Sequence, residues 1–450
     1  MENINKKSDS KIINADPTKD FFVNMITRDI ALLDCIFDLL DNAIDGARRK
    51  IDSLSENAFD GYSIELTLAR DKFIINDNCG GITLSDAIKY AFHFGRRPQR
   101  ENDVKGGIGL YGIGMKRAIF KIGRSADIIS HADDASFVVS VDVDQWIQNE
   151  KNWDFSYNDI ERSESRGTKI SIEKLNTGIG DSFADTAFKN ELIKAIARDY
   201  TFFIDKGLKI KVDDTTVASY KYALKENESV APGVISYEDD GVSVTVIAGL
   251  IEDLPDDIPD EARPGLVDRF GWYVICNDRV VLAADKSDKT VWGDDDFQVW
   301  HLQYTGFAGF VFFRSDDQSK LPWTTTKRDL ESTNPLYQRA LVKMKELTED
   351  FIKYTNRRKT ELDNAKRMES GTARVDVYSL TPIKGIISER PLKLPTITSG
   401  TSGPPLVTIS FKRKKSEVEE IKKNAGNPLM SAKDVGHLTF DYYREMELGK

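Results

Sequence analysis

Five of the nine residues from Gly106 to Gly114 are glycine, and the run leads directly into MKRAIFKI. So many glycines disfavour both a helix and a packed strand. Residues 95–114 therefore read as a loop, and KGGIGLYGIGMKRAIFKIG (105–123) as that loop entering a helix near Gly114. Backbone N–H groups at a helix N-terminus, with no side chains in the way, can cradle phosphates. Gly109, Gly112 and Gly114 are the candidates, and Lys116 in the first helical turn adds a positive charge. The run follows no strand directly and lacks a GK[ST] ending, so it is neither the dinucleotide fingerprint nor the P-loop.

Three further segments carry polar residues in chemically useful positions. Residues 28–50 read as an amphipathic helix, with Asp38, Asn42 and Asp45 at i, i+4 and i+7 on one face and Ile36, Leu40, Ala43 and Ala47 on the other. Asn42 can hold Mg²⁺ and Asp38 can orient a water; a solvated polar face is the plainer alternative. In IINDNCGGI (74–82) a strand ends at Asp77 and enters a turn where Gly80 and Gly81 admit a flat ligand close to the backbone. A carboxylate there can accept from an adenine amino group, where guanine has a carbonyl. In RGTKISI (166–172), Thr168 enters a strand and can share that contact.

Taken in order, these motifs resemble the GHKL ATPase superfamily, which includes DNA gyrase B, the ninety-kilodalton heat-shock chaperones, histidine kinases, MutL and MORC proteins. The resemblance covers about residues 20–175. It implies ATP and Mg²⁺ as ligands, with Asn42 on the metal, Asp77 on adenine, Gly81 shaping that turn and Thr168 supporting it. It implies further that Asp38 takes the position of the general base, usually Glu, and that Cys79 stands where glycine is usual. Asp38 is one methylene shorter, which withdraws its carboxylate by about 1 Å. Asp41 points further round the helix. Beyond the nucleotide domain, LPWTTTKRDLE (321–331) is similar to the transducer loop that sends a lysine to the γ-phosphate, making Lys327 a candidate catalytic residue, and ICNDRVV (275–281) is similar to an N-x-R strand-turn. The chain looks closest to MORC-like, chaperone-like and MutL-like bacterial ATPases. That resemblance implies an ATP-dependent homodimer, a clamp acting on nucleic acid or protein, and a setting such as bacterial defence.

The expected fold class is α+β. An N-terminal Bergerat α/β sandwich, with a mixed, mostly antiparallel sheet and helices on one face, precedes a transducer α/β domain and a C-terminal helical and linker region. The boundaries read as a flexible arm (1–20), the ATP-binding domain (21–180), the transducer (181–335), a charged helix (336–370) and a linker with tail (371–450). Long helices are expected at 184–205 and 335–368, strands at 62–69, 72–76, 124–130, 136–143, 208–213, 242–250, 271–282 and 307–313, and a possible helix at 431–447. EDLPDDIPDEARP (252–264) and GDDDF (293–297) read as solvated loops, and residues 386–406 as a linker. A net charge of −10 argues against a body coated for nucleic acid. Arg357–Arg358–Lys359 and Lys412–Lys415 can meet phosphates locally, or are solvated charges balanced by Glu417, Glu419 and Glu420. Three isolated cysteines and four scattered histidines suggest no zinc site and fit a reducing compartment. With no apolar h-region or membrane-length apolar run, the expected location is the cytoplasm, away from membranes.

Overall fold

The computed structural model describes residues 17–51, 57–95, 105–109, 112–251, 269–294, 297–381, 387–396, 409, 411–427 and 430–449. Most of the expected loop at 95–114, the acidic loop 252–264, the arm up to residue 16 and the centre of GDDDF lie outside the described residues. The chain divides into two units at residue 397.

The first helix begins inside the expected arm. The Thr18 hydroxyl accepts from the Phe21 N–H and starts α1 (Lys19–Arg28). Lys19 Nζ donates to the Trp146 carbonyl at 2.7 Å, and Phe22 packs edge-on against Phe94 and Trp153. The expected 28–50 helix starts late, as α2 (Leu32–Arg48), because Ala31 holds an extended backbone. α2 is buried almost all round, and Asp38, Asp41 and Asp45 are buried with its apolar residues.

There follow β1 (Ser63–Leu68), β2 (Lys72–Asp77), α3 (Leu84–Asp86) continuing into a π-turn at Ala87–Ala91, α4 (Gly114–Ile122), β3 (Gly123–His131), β4 (Ser136–Asp142), α5 (Val143–Gln148), β5 (Tyr157–Asp159) and β6 (Gly167–Leu175). The expected 184–205 helix is broken: α6 (Ile179–Ala184), α7 (Thr186–Asp199), capped by Asp185, and α8 (Thr201–Asp205) precede β7 (Lys209–Val212) and β8 (Thr215–Thr216). These strands form one eight-stranded sheet in the order β5-β4-β3-β6-β2-β1-β7-β8. Every pairing is antiparallel except β1 with β7. The fold is mixed α+β, as a GHKL sandwich requires.

The second half contributes β9 (Ala223–Glu226), β10 (Gly233–Asp239), β11 (Val242–Leu250), β12 (Gly271–Cys276), β13 (Arg279–Asp285), β14 (Phe307–Arg314), α9 (Pro335–Arg358), α10 (Leu362–Glu369), β15 (Ala373–Asp376) and β16 (Ser388–Arg390). The second sheet has the order β13-β12-β14-β11-β10-β16, and β9 pairs with β15. The run 271–282 is a hairpin rather than one strand. Asn277 and Asp278 turn at φ 47° and 68°, the left-handed pair a two-residue hairpin needs. The expected linker also departs from its reading, since Ser388–Arg390 adds an edge strand to β10. Asn334 caps α9 with Pro335 in its first turn, and the expected 335–368 helix breaks before α10.

The second unit holds α11 (Lys415–Asn424) and α12 (Ala432–Leu448). A capping box joins Ser431 and Asp434 at the start of α12.

Candidate functional site

Backbone-to-backbone packing builds one end of a cleft. A Cβ on Gly81, at φ 71°, would stand 2.3 Å from the His131 carbonyl oxygen, and one on Gly167 would stand 1.9 Å from that of Asp77. Only glycine permits these approaches. They bring the end of β2 against β6, where Asp77 Oδ1 accepts from the N–H groups of Cys79 at 2.8 Å and Thr168 at 3.2 Å. Asp77 Oδ2 has no protein partner among the described residues. Burial pushes the Asp77 carboxyl up to about 6, against the two backbone N–H groups that favour its ionised form. Cys79 is buried, and its φ is not positive, so a side chain is tolerated where the resemblance expects glycine.

α2 supplies the cleft's floor, and all the residues selected from the sequence line this one cleft: Asp38, Asn42, Asp45, Asp77, Gly81, Gly109, Gly112, Gly114, Lys116, Thr168 and Lys327. Their individual states differ from a simple ligand set. Asp45 is committed to the glycine loop, with Oδ1 accepting from Ile108 N–H at 2.8 Å and Oδ2 from Gly109 N–H at 2.6 Å. Asn42 is exposed to the cleft. Its amide oxygen suits Mg²⁺, a hard cation that takes most of its remaining ligands from phosphate and water. No group of three His, Cys, Asp or Glu that could hold a metal occurs among the described residues.

Three cations stand at the opposite end. Lys116, expected beside phosphate, donates instead to the carbonyls of Ala91 at 2.8 Å and Gly112 at 2.5 Å. Burial without a carboxylate partner lowers its amino group to about 7. Arg117 Nε donates to Asp38 Oδ2 at 2.5 Å. Lys327 Nζ lies 2.9 Å from Asp41 Oδ2 and 3.7 Å from Asp38 Oδ1. Lys327 is 5% exposed and holds φ 55°, an unfavourable conformation for a lysine. A tight turn stabilises it: Lys327 N–H donates to the Thr324 carbonyl, and Thr324 N–H to that of Asp329, each at 3.0 Å. Burial alone would lower the Lys327 amino group, but Asp41 and Asp38 hold it above its ordinary range.

Several contacts around the site escaped the sequence reading. Asp41, set aside there as turned away, accepts from Lys327, from Tyr200 Oη at 2.9 Å and from Arg279 Nε at 3.4 Å. Burial would raise the Asp41 carboxyl; Lys327 and Arg279 overcome this and hold it low. Arg279 also lies 3.5 Å from Asp199 and over the Tyr200 ring. Asn277 Nδ2 donates to the carbonyls of Gly107 and Ser315, each at 3.0 Å, so the β12–β13 turn touches the glycine loop directly. Its neighbour Asp278 is fully buried against Lys206, Arg314 and Arg48. The turn signal Asn277–Asp278 was legible; the partners were not.

The basic triple at 357–359 does not stand free, because Arg358 is buried and forms a fork with Glu369 at 2.7 Å. Among the described residues no helix is long and apolar enough to cross a membrane.

Residues 31–177 match the family model described as "Histidine kinase-, DNA gyrase B-, and HSP90-like ATPase". No curated protein matches the chain. The match spans α2, the Asp77 turn, the glycine loop and the Thr168 strand, and this segment of the chain is a domain of the GHKL ATPase superfamily.

Proposed function

We propose that the chain binds Mg-ATP in this cleft and hydrolyses it slowly, driving ATP-dependent dimerisation that closes a MORC-like or MutL-like clamp on a nucleic-acid or protein partner. The observation that carries the reading is Lys327. It lies 286 residues from Asp41 in sequence, yet its ammonium reaches Asp41 and Asp38 of α2, and it lines the same cleft as Asn42 and Asp77. A cation delivered from outside the nucleotide domain to the phosphate end distinguishes ATP from ADP and stabilises charge at the terminal phosphate.

In this reading Asp77 Oδ2 accepts from the adenine amino group, the N–H groups at Gly112 and Gly114 bind the phosphates, and Gly109, whose N–H is held by Asp45, shapes the loop beside them. Asn42 holds Mg²⁺, which would neutralise phosphate charge. Asp38 stands where a water would be activated. Asn277, through Gly107, links loop position to the second sheet.

A second reading is favoured by one contact. Asp38 Oδ2 is held by Arg117 at 2.5 Å, which leaves a short carboxylate poorly placed to activate water. The protein would then be a nucleotide-sensing interaction module with little turnover.

Phosphate release by wild type, Asn42→Ala, Lys327→Ala and Asp38→Glu separates these readings. The clamp ATPase predicts Mg²⁺-dependent turnover lost in the first two variants. The sensing module predicts no measurable wild-type turnover but a nucleotide-dependent change in mass by light scattering. Absence of both results would contradict the proposal.

A further inference from the structure

We infer that Arg117, rather than the adjacent Lys116, reads the γ-phosphate alongside Lys327, and that Asp38 positions it. This rests on the Mg-ATP reading above. Both residues sit in the first turns of α4, whose N-terminus opens on the cleft. Their side chains have different commitments. The Lys116 ammonium is engaged by the Ala91 and Gly112 carbonyls. The Arg117 guanidinium is fixed at two of its nitrogens: Nε donates to Asp38 Oδ2 at 2.5 Å, and Nη2 to the Thr325 carbonyl at 3.3 Å. Its Nη1 has no protein partner among the described residues, and the side chain, 94% buried by its 6% exposure, lines the cleft.

Asp38 therefore stands between two cations, with Arg117 on one oxygen and Lys327 3.7 Å from the other. A terminal phosphate entering beside this carboxylate meets a planar fork already oriented for two oxygens. A diphosphate ends short of it. The Thr325 carbonyl belongs to the same turn as Lys327, so Arg117 also joins α4 to the loop that supplies the second cation. Asp38 holds the fork through Nε and leaves the remaining donors to the ligand.

The test is calorimetry on the full chain with Mg-AMP-PNP and Mg-ADP. Arg117→Ala is expected to weaken Mg-AMP-PNP by about tenfold or more, the scale of lost charge-assisted hydrogen bonds, and Mg-ADP by less than about threefold. Arg117→Lys keeps the charge opposite Asp38 but loses the fork, so its loss falls between, again confined to Mg-AMP-PNP. It decides the matter if the alanine variant does not fold. Asp38→Ala should lower discrimination between the two nucleotides, and Asp38→Asn, which retains an acceptor for Nε, should restore it. Equal weakening for both nucleotides, or none, in the Arg117 variants overturns the inference while leaving the Mg-ATP reading intact. Equal discrimination in the two Asp38 variants overturns the positioning role. Failure of the wild type to bind either nucleotide overturns the inference together with the reading it rests on.

Discussion

Asp77→Asn should make the nucleotide-free protein more stable while removing its response to ATP. Burial raises the Asp77 carboxyl from 3.8 to about 6. At about 1.4 kcal/mol per pH unit, keeping it ionised at neutral pH costs the folded state roughly 3 kcal/mol, an upper bound for a side chain bordering an open cleft. Asparagine is nearly the same shape, its Oδ1 still accepts from the Cys79 and Thr168 N–H groups, and its NH₂ faces the open cleft, so the penalty disappears without a cavity or loss of a backbone hydrogen bond. At about 2–4 °C per kcal/mol for a domain of this size, the melting temperature should rise by several degrees. The sign can be checked against pH. A carboxyl raised on folding loses stability for the protein as pH climbs from 3.8 through about 6, so the advantage of the variant should be full above pH 6 and vanish towards pH 4. With Mg-ATP the order should reverse: asparagine turns an NH₂ towards the adenine amino group, and the ligand-induced rise expected of the wild type should be absent. Differential scanning fluorimetry from pH 4 to 8, with and without Mg-ATP, reads both effects. A lower melting temperature without nucleotide, or an undiminished ATP shift, would refute the reasoning.

The remaining expectations follow the same physics. Gly167→Ala forces a methyl to within 1.9 Å of the Asp77 carbonyl, so it should destabilise by several kcal/mol in urea unfolding and weaken Mg-ATP binding. Asn277→Ala removes two hydrogen bonds donated by Nδ2 and one accepted from Ser315 N–H, and leaves an alanine at φ 47°; roughly 3 kcal/mol of stability should go, with faster proteolysis in the glycine loop. Lys116→Met replaces an amino group lowered to about 7, whose charging penalises the folded state below that pH and is relieved as pH rises towards 10.5. The variant should therefore melt higher than wild type at neutral pH and below, with the gap closing between pH 7 and 10.

What was legible in the sequence was local. Helical spacing put Asp38, Asn42 and Asp45 on one side of α2, and a strand ending in Asp-Asn-Cys-Gly-Gly led to the Asp77 turn, since both follow from backbone periodicity. Misreadings came from places where tertiary contacts decide. α1, capped by Thr18, lies inside the expected arm because an aromatic cluster receives Phe22, a contact that no local pattern announces. Ser388–Arg390 is a strand only because β10 offers it an edge. Lys116 and Arg117 are neighbours with the same formal charge, and the sequence favoured the first. The distinction lies in partners 79 residues away for Arg117 at Asp38 and 208 away at Thr325. Asp41 looked superfluous for the same reason, since Lys327 and Arg279 reach it from the second sheet's half of the chain.

Calorimetric titration of the intact chain with Mg-AMP-PNP and with Mg-GMP-PNP tests the central claim most directly, because Asp77 Oδ2 and Asn42 must serve the two ends of one ligand. Saturable binding of the adenine nucleotide, with the guanine nucleotide at least about tenfold weaker, is the result expected from a carboxylate meeting an amino group in one case and a carbonyl in the other. No heat with either nucleotide, or equal affinity for both, would contradict the account.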